Sequence, residues 1–514
     1  MKSRIALAAG AAALAAATLT AVPATTAQAA EAVTVTDACL TSVPDPGSTA
    51  PVDICYTLFQ PVGADAKHRV PLIFHSHGWG GSRTRSAASF QKFTDAGYGV
   101  LSFDQRGFGA SGGQAYVMNP DVEGHDVRAL VDLVSKLSWV TQDRPGDPRL
   151  GAIGGSYGGG YQFLGAFESL RLKGRPIFDA LAPEITWYDL KESLAPENVV
   201  RTEWAAALTA AAVPGDSLPR SVYKGLVEGA ATGNWPDGSI PGTENLTAFF
   251  EKNGPKWHVG KGRKLKIPTL LGQGTTDSLF PLEQGLQNFQ RSITRKARTK
   301  SIFIGYNGGH VLPAVYPRGV SVTSDPCSKE LAGGSFQDLS LRFFDEQLRK
   351  KKTGLKGYGA YHLATPDSTC TSVKSVAANT TVDLGTIAST ELAGPALPFA
   401  VAQGPIRIAG TPYLTGSLSA AGVNNRAFAG LAIGSNPLDA RLIQNNVLPI
   451  NAPLPVNGEA RRVALPSVAI DVPAGQTLYL LMSPFSENFV GMGSRTPGAI
   501  VLQNTVIHLP VVAN

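Results

Sequence analysis

The stretch Leu150-Gly-Ala-Ile-Gly-Gly-Ser156-Tyr-Gly-Gly-Gly160 constrains this chain more than any other. A short apolar run ends in Gly-x-Ser-x-Gly, and a helix-forming segment, Tyr161 to Leu170, follows at once. That order predicts a tight strand-to-helix turn that lifts a serine above the edge of a sheet. Glycines flank the serine because such a turn brings backbone and helix too close for a Cβ. The helix N-terminus beneath adds positive partial charge where an oxyanion would form. Ser156 is therefore the candidate nucleophile. The chain has 56 glycines and holds a second match, Gly109-Ala-Ser111-Gly-Gly113. Ser111, however, runs on through a loop to Pro120 with no helix behind it, so it reads as the loop after an expected strand ending at Phe103.

A serine alkoxide forms only where a base takes its proton, and the base needs a carboxylate to orient it. On an open α/β sheet the partners follow the serine as acid and then histidine, each past a strand's carboxyl end. Downstream, Ile267-Pro-Thr-Leu-Leu-Gly-Gln-Gly-Thr-Thr-Asp277 sets an aspartate past one apolar run. Ile302-Phe-Ile-Gly-Tyr-Asn-Gly-Gly-His310 sets a histidine past the next. Asp277 and His310 are the candidate orienter and base. The bland alternatives are a loop cap on Thr275 or Ser278 for Asp277 and a surface loop for His310. Upstream, His77-Gly-Trp-Gly-Gly81 has the form of an oxyanion loop. The N–H groups of Trp79 and Tyr157 are the candidate oxyanion donors. His75 and His77 could imitate a metal pair, but the loop form makes His77 a structural hydrogen-bonder. Asp104 precedes the serine and is expected to brace its loop by pairing with Arg106. No spacing asks for a metal or other cofactor.

The surrounding pattern is α/β. Apolar runs at Val70 to His75, Gly99 to Phe103, Leu150 to Ile153, Phe178 to Ile185, Ile267 to Leu271 and Ser301 to Gly305 read as buried parallel strands. Helical spacing of Val127, Leu130, Val131, Val134 and Leu137 between them, and of Phe336 to Arg349 after them, implies a parallel sheet covered on both faces. An N-terminal arm supplies strands near 33–35 and 53–59. The segment from about 183 to 266 is an insertion. After Gly357 helical periodicity vanishes, and short alternating strands run from Thr381 to Leu384, Ile406 to Ala409, Phe428 to Ile433, Val463 to Val472, Leu478 to Met482 and Ile500 to His508. That spacing indicates an all-β sandwich or jelly roll. The expected division is 30–355 for the α/β part and 356–514 for the β part.

Residues 1–29 read as a signal peptide. Lys2 and Arg4 precede an Ala/Leu-rich stretch to Val22, and Ala27-Gln28-Ala29 supplies small residues for cleavage. An uncleaved anchor is the alternative; the stretch is short and Ala-rich for one. Loss of Lys2 and Arg4 lowers the formal charge from +6 to +4, too little over such a length to argue for nucleic acid. The basic run Arg349-Lys-Lys-Lys352 complements the end of a helix. Four cysteines in an exported chain imply two disulfides among Cys39, Cys55, Cys327 and Cys370. Of three connectivities, Cys39–Cys55 with Cys327–Cys370 closes the shorter loops.

Five motifs now combine: His77-Gly-Trp-Gly-Gly, Asp104-Gln-Arg-Gly-Phe-Gly, Gly154-Gly-Ser-Tyr-Gly-Gly, Pro183-Glu-Ile-Thr-Trp-Tyr-Asp189-Leu and Arg342-Phe-Phe-Asp-Glu-Gln-Leu. Together they resemble the X-prolyl dipeptidyl aminopeptidase and cocaine esterase family, from about residue 50 to the end. The resemblance implies an α/β-hydrolase domain with a helical cap, followed by a jelly roll that packs against it. It also places Ser156, Asp277 and His310 on the family's triad. Several members draw an oxyanion donor from a tyrosine hydroxyl in the early loop. Here Trp79 has no hydroxyl, so the donor is expected to be backbone.

Trp187, Trp204, Trp235 and Trp257, four of the six tryptophans, fall in the insertion and suggest an apolar cap over a pocket. Ordinary cap packing is the alternative for each. Trp187 and Tyr188 are the candidate substrate contacts. An aminopeptidase would need a carboxylate for the substrate's amine; Glu184, Asp189 and Glu192 are available, and at least one is expected to brace the cap. The sequence thus reads as a secreted serine hydrolase acting on a small ester or peptide through an acyl-enzyme. Esterase stands slightly ahead of X-prolyl peptidase, and a non-catalytic polymer-binding protein is the alternative of another class. Oligomeric state is left open.

Overall fold

The structure, a computed structural model, describes residues 33–310, 322–391, 396–494 and 498–513. The expected signal peptide lies outside them. Among the described residues no helix is long and apolar enough to cross a membrane.

A ten-stranded sheet organises the first part. Its centre is parallel: Gly99–Phe103, Leu72–Ser76, Leu150–Gly155, Ala180–Glu184, Leu270–Gly274 and Ile302–Tyr306 lie side by side in that order. These strands are almost wholly apolar because both faces are covered. Leu72, Phe74, Leu101 and Phe103 meet Val127, Leu130, Phe163 and Phe167 on one face. The alternate residues Ile73, Val100, Ala180 and Ile302 meet Phe93, Phe343, Phe344 and Leu348 on the other. Helix Phe336–Arg349 starts where Ser335 and Asp338 form a reciprocal capping box, and it ends at left-handed Lys350.

The two antiparallel edges differ from the expected layout at one end. Thr34–Ser42 and Val52–Gln60 form a hairpin against Gly99–Phe103, with Cys39 directly opposite Cys55 and bonded to it. At the far edge the sheet continues past residue 355. Tyr361–Ala364 runs parallel to Ile302–Tyr306, and Cys370–Val373 pairs antiparallel beyond it. Tyr361 and Leu363 are buried in the same core as Phe303, and Cys370 is bonded to Cys327. The change of sheet therefore falls after Val373 and not at 355.

The remaining strands form antiparallel sheets around a shared core. One sheet orders Thr380–Thr390, Ala499–Leu509, Tyr413–Ala420 and Val456–Ala464; another centres on Leu397–Gln403, Thr477–Ser483 and Asn425–Gly434. Ile387, Leu414, Leu418 and Leu502 from the first meet Ala427, Leu431, Leu478 and Leu480 from the second. This is a β-sandwich. The single strand expected from Val463 to Val472 is two, interrupted at Pro466, whose missing N–H breaks the ladder. Val456–Ala464 pairs with Tyr413–Ala420, whereas Val468–Val472 pairs with Ile406–Gly410.

The sandwich is bonded to the first part through polar side chains. The Arg426 guanidinium donates to the Gly233 carbonyl at 2.8 Å, Asn451 to the Glu197 carbonyl at 2.9 Å, and Gln444 to the Ala364 carbonyl at 3.2 Å. Thr202 Oγ1 donates to the Val490 carbonyl at 2.7 Å. Removing the sandwich would uncover this surface and the apolar residues between these bonds. A chain ended after Val373 is expected to be recovered mainly as aggregate on size-exclusion chromatography. A soluble, monomeric product with a cooperative unfolding transition would contradict this.

Candidate active site

Ser156 sits between strand Leu150–Gly155 and helix Tyr157–Lys173 at φ 58° and ψ −122°. This strained conformation for a side-chain residue turns it out of both elements. Two bonds hold the turn: the Ser156 N–H donates to the Glu184 carbonyl at 3.0 Å, and Gly159 N–H to the Ser156 carbonyl at 2.8 Å. Gly158 is required by crowding, since a Cβ there would lie 2.3 Å from the Ser76 carbonyl oxygen. Gly154 combines φ 137° with a Cβ position 2.7 Å from the Gly158 carbonyl oxygen.

The loop after strand Leu72–Ser76 lies against the serine; a Cβ on Gly78 would be 3.8 Å from Ser156 Cβ. His77 fixes this loop. Its Nδ1 donates to the Gly78 carbonyl at 2.7 Å, and its Nε2 accepts the Gln105 N–H at 3.0 Å. These partners assign the neutral ring, and burial holds its pKa below the usual histidine value. His75 turns to Ser102 Oγ at 2.9 Å, so the two histidines do not converge. The Trp79 indole donates to the Leu208 carbonyl at 2.9 Å and packs edge-on against Phe108 and Tyr157. Its ring is thereby engaged with the cap.

Asp104 does not pair with Arg106. It pairs with Arg83 and accepts the Ala110 N–H at 2.9 Å. Arg106 faces the other way, to Asp126 at 2.7 Å and Asp45 at 2.8 Å. The turn between them sends residues two apart in opposite directions, so sequence proximity misleads here. Ser111 is a brace, donating to the Asp104 carbonyl at 2.8 Å and accepting the Cys55 N–H at 2.9 Å.

Asp277 and His310 meet past the ends of neighbouring strands. His310 Nδ1 and Asp277 Oδ2 are 2.8 Å apart, and Asp277 Oδ1 accepts the N–H groups of Leu279 and Phe280 at 2.9 Å each. Asp277 is fully buried. Thr276 Oγ1 donates to the Gly308 carbonyl at 2.7 Å, tying the two loops together. The His310 ring is held edge-on between Trp204 and Phe280, at centroid distances of 5.7 and 5.3 Å. The Trp204 indole donates to Ser278 Oγ at 3.0 Å.

A narrow cavity of about 70 Å³ runs from Ser156 beneath the cap. Val117, Trp187, Leu190, Leu208, Leu226, Trp235, Phe250 and Phe280 line it together with Trp79 and Tyr157, and among the described residues none that lines it is charged. Trp187 stacks near Tyr157 in this wall. Tyr188 is turned toward Arg291 and does not line the cavity. Trp257 packs on His258 and Arg263 instead. Glu184, Asp189 and Glu192 also miss the cavity. Asp189 caps helix Leu190–Leu194 and pairs with Lys256. Burial pushes the Glu184 carboxyl up to about 7 and raises that of Glu192. Val117 was not singled out by the sequence, because a lone valine in a loop carries no motif.

A family model described as X-Pro dipeptidyl-peptidase (S15 family) matches residues 52–311. An uncharacterised 31.7 kDa protein from the traX–finO intergenic region of Escherichia coli is 34% identical over 121 residues, 23% of this chain and 40% of that protein. The uncharacterised protein YcjY of Escherichia coli K12 is 27% identical over 124 residues, 24% of this chain and 39% of that one. The matched region thus spans about two fifths of these relatives. In fold, an α-amino acid ester hydrolase aligns with 96% of this chain and 100% of its own at TM-score 0.62 and 14% identity. An aminopeptidase from a marine sediment Thaumarchaeota archaeon aligns over 93% and 96% at TM-score 0.60 and 14% identity. A CocE/NonD family hydrolase from Staphylococcus aureus aligns over 93% and 97% at 0.60 and 12%. These likenesses establish an α/β-hydrolase fold with a C-terminal β-sandwich.

Two measurements check the construction of the site. Gly158→Ala is expected to cost about 1–3 kcal/mol or more of stability in urea unfolding, because backbone must move; an unchanged midpoint would contradict the crowding. The Glu184 carboxyl is raised from 4.5 to about 7 in the fold. The unfolded chain therefore loses this proton first, and its contribution to stability falls as pH rises from about 4.5 to about 7. Glu184→Gln is expected to gain on the wild type across that window; a pH-independent difference would contradict the assignment.

Proposed function

Because the chain belongs to the X-Pro dipeptidyl-peptidase (S15) family, we propose that it cleaves carboxylic esters of apolar acids through an acyl-enzyme. It is a serine hydrolase. In this reading Ser156 Oγ attacks the ester carbonyl while His310 takes its proton, and Asp277 holds the imidazole in the required tautomer. The negative charge that develops on the carbonyl oxygen is met by the Trp79 and Tyr157 main-chain N–H groups, aided by the helix N-terminus. His310 then returns the proton to the departing alcohol. Water, deprotonated by the same histidine, releases the acid and restores Ser156.

One observation carries the choice of ester: the cavity beside Ser156 is lined mostly by apolar side chains, and among the described residues no carboxylate lines it to receive a substrate's charged amine. Burying an unpaired ammonium there would be costly. The family's description favours the second reading, an X-prolyl dipeptidyl peptidase, which needs such a carboxylate. Export of the chain is supported by its two disulfides and by the leader-like N-terminus.

Ser156→Ala and His310→Ala are each expected to lower kcat on p-nitrophenyl esters by about 10⁴ or more, since members of such a unit act together. Asp277→Asn is expected to lose slightly less. Labelling by a fluorophosphonate is expected to vanish in Ser156→Ala. Near-normal turnover in either of the first two variants would overturn the assignment.

A further inference from the structure

Two neighbouring residues, the first of them in the cavity wall, hold conformations that side chains rarely adopt. Val117 and Met118 stand at φ 59° and 65°. For valine, with its branched Cβ, that region is a genuine outlier. Such strain persists only where the surroundings over-determine it, and here the determining group is a carboxyl. Glu123 Oε1 accepts the Tyr116 N–H at 2.6 Å, and its Oε2 accepts the Asn119 N–H at 2.8 Å. Both oxygens of one side chain thus grip the two ends of the strained turn. On the other side, Asn253 Nδ2 donates to the Tyr116 carbonyl at 2.7 Å. The Asn253 carbonyl in turn accepts the Trp187 indole N–H at 2.5 Å.

The turn so held reaches both the helix after Ser156 and the cavity. Met118 packs over Gly160, where a Cβ would come within 3.2 Å of Met118 Cγ. Val117 forms part of the wall shared with Ser156 and Tyr157. Glu123 itself is 3% exposed and does not line the cavity. The nearby Arg106 is taken up by Asp126 and Asp45.

We propose that Glu123 is a positioning residue for substrate selection: by clasping the Tyr116–Asn119 turn it fixes Val117 as the wall that sets how broad an acyl group fits beside Ser156. The inference rests on the reading of this cavity as the acyl pocket. Burial raises the Glu123 carboxyl to about 8, and Glu123→Gln alters the clasp itself. The amide keeps one acceptor and turns an N–H donor against the other N–H.

The test uses the full chain and p-nitrophenyl acetate, hexanoate and benzoate, with active sites counted by fluorophosphonate labelling. Glu123→Gln is expected to shift the benzoate-to-acetate ratio of kcat/KM by about fivefold or more, mainly through KM, with labelling stoichiometry retained. Val117→Ala is expected to shift the same ratio, which keeps the inference testable if Glu123→Gln folds poorly. In a Val117→Gly background, where no side chain is left at 117 for the clasp to place, adding Glu123→Gln is expected to leave the ratio unaltered. An unchanged ratio in Glu123→Gln or in Val117→Ala, or an equal shift in the glycine background, would overturn the proposal. Failure of the wild type to turn over any of the three esters would instead overturn the functional reading beneath it.

Discussion

The close approach of helix Tyr157–Lys173 to the end of strand Leu72–Ser76 is the constraint on which the rest of the site depends. With Gly158 the helix start can sit where a Cβ would be 2.3 Å from the Ser76 carbonyl. That contact brings three things to one point. Ser156 is forced out of both strand and helix, the helix N-terminus begins directly after it, and the loop at Gly78 lies against the serine. Sheet order does the remainder: Leu72–Ser76 lies between Gly99–Phe103 and Leu150–Gly155, and crevices of open parallel sheets form beyond strand carboxyl ends at such reversals.

The Asp277–His310 pair is held from three directions. Its own loops are joined through Thr276 and Gly308. The cap holds the His310 ring through Trp204, and the indole of Trp204 is itself anchored on Ser278. From the sandwich, Asn446 Nδ2 approaches the Asp277 carbonyl at 3.5 Å. Cap and sandwich are in turn bonded to each other through Arg426, Asn451 and Thr202. The β part is therefore continuous with the support of the site.

Much of this was legible in the sequence, for reasons that differ by residue. Buried parallel strands must be apolar throughout, so Gly99–Phe103 and Ile302–Tyr306 stood out; glycines forced by crowding marked the turn at Ser156. Asp277 and His310 followed from their positions just past strand ends. What failed depended on side-chain direction or long-range pairing. Trp187 and Tyr188 are adjacent yet face opposite ways, and Asp104 finds Arg83 across the sheet edge while Arg106 points elsewhere. The strands at 361–364 and 370–373 join the first sheet through pairing with a strand some sixty residues back, which local alternation does not encode. Glu123 was hidden for a further reason: its importance lies in two main-chain N–H groups, and main chain leaves no signature in side-chain patterns.

The central claim is that the cavity beside Ser156 takes an apolar acyl group and has no place for a free amine. It is tested most directly by two p-nitrophenyl esters that share a leaving group and a six-carbon chain, hexanoate and 2-aminohexanoate. The kcat/KM of each is divided by its own uncatalysed hydrolysis rate. Hexanoate is expected to be favoured by about tenfold or more, since a charged amine would enter an apolar wall without a partner. A clear preference for the aminoacyl ester, accompanied by cleavage of Xaa-Pro-p-nitroanilides, would contradict it.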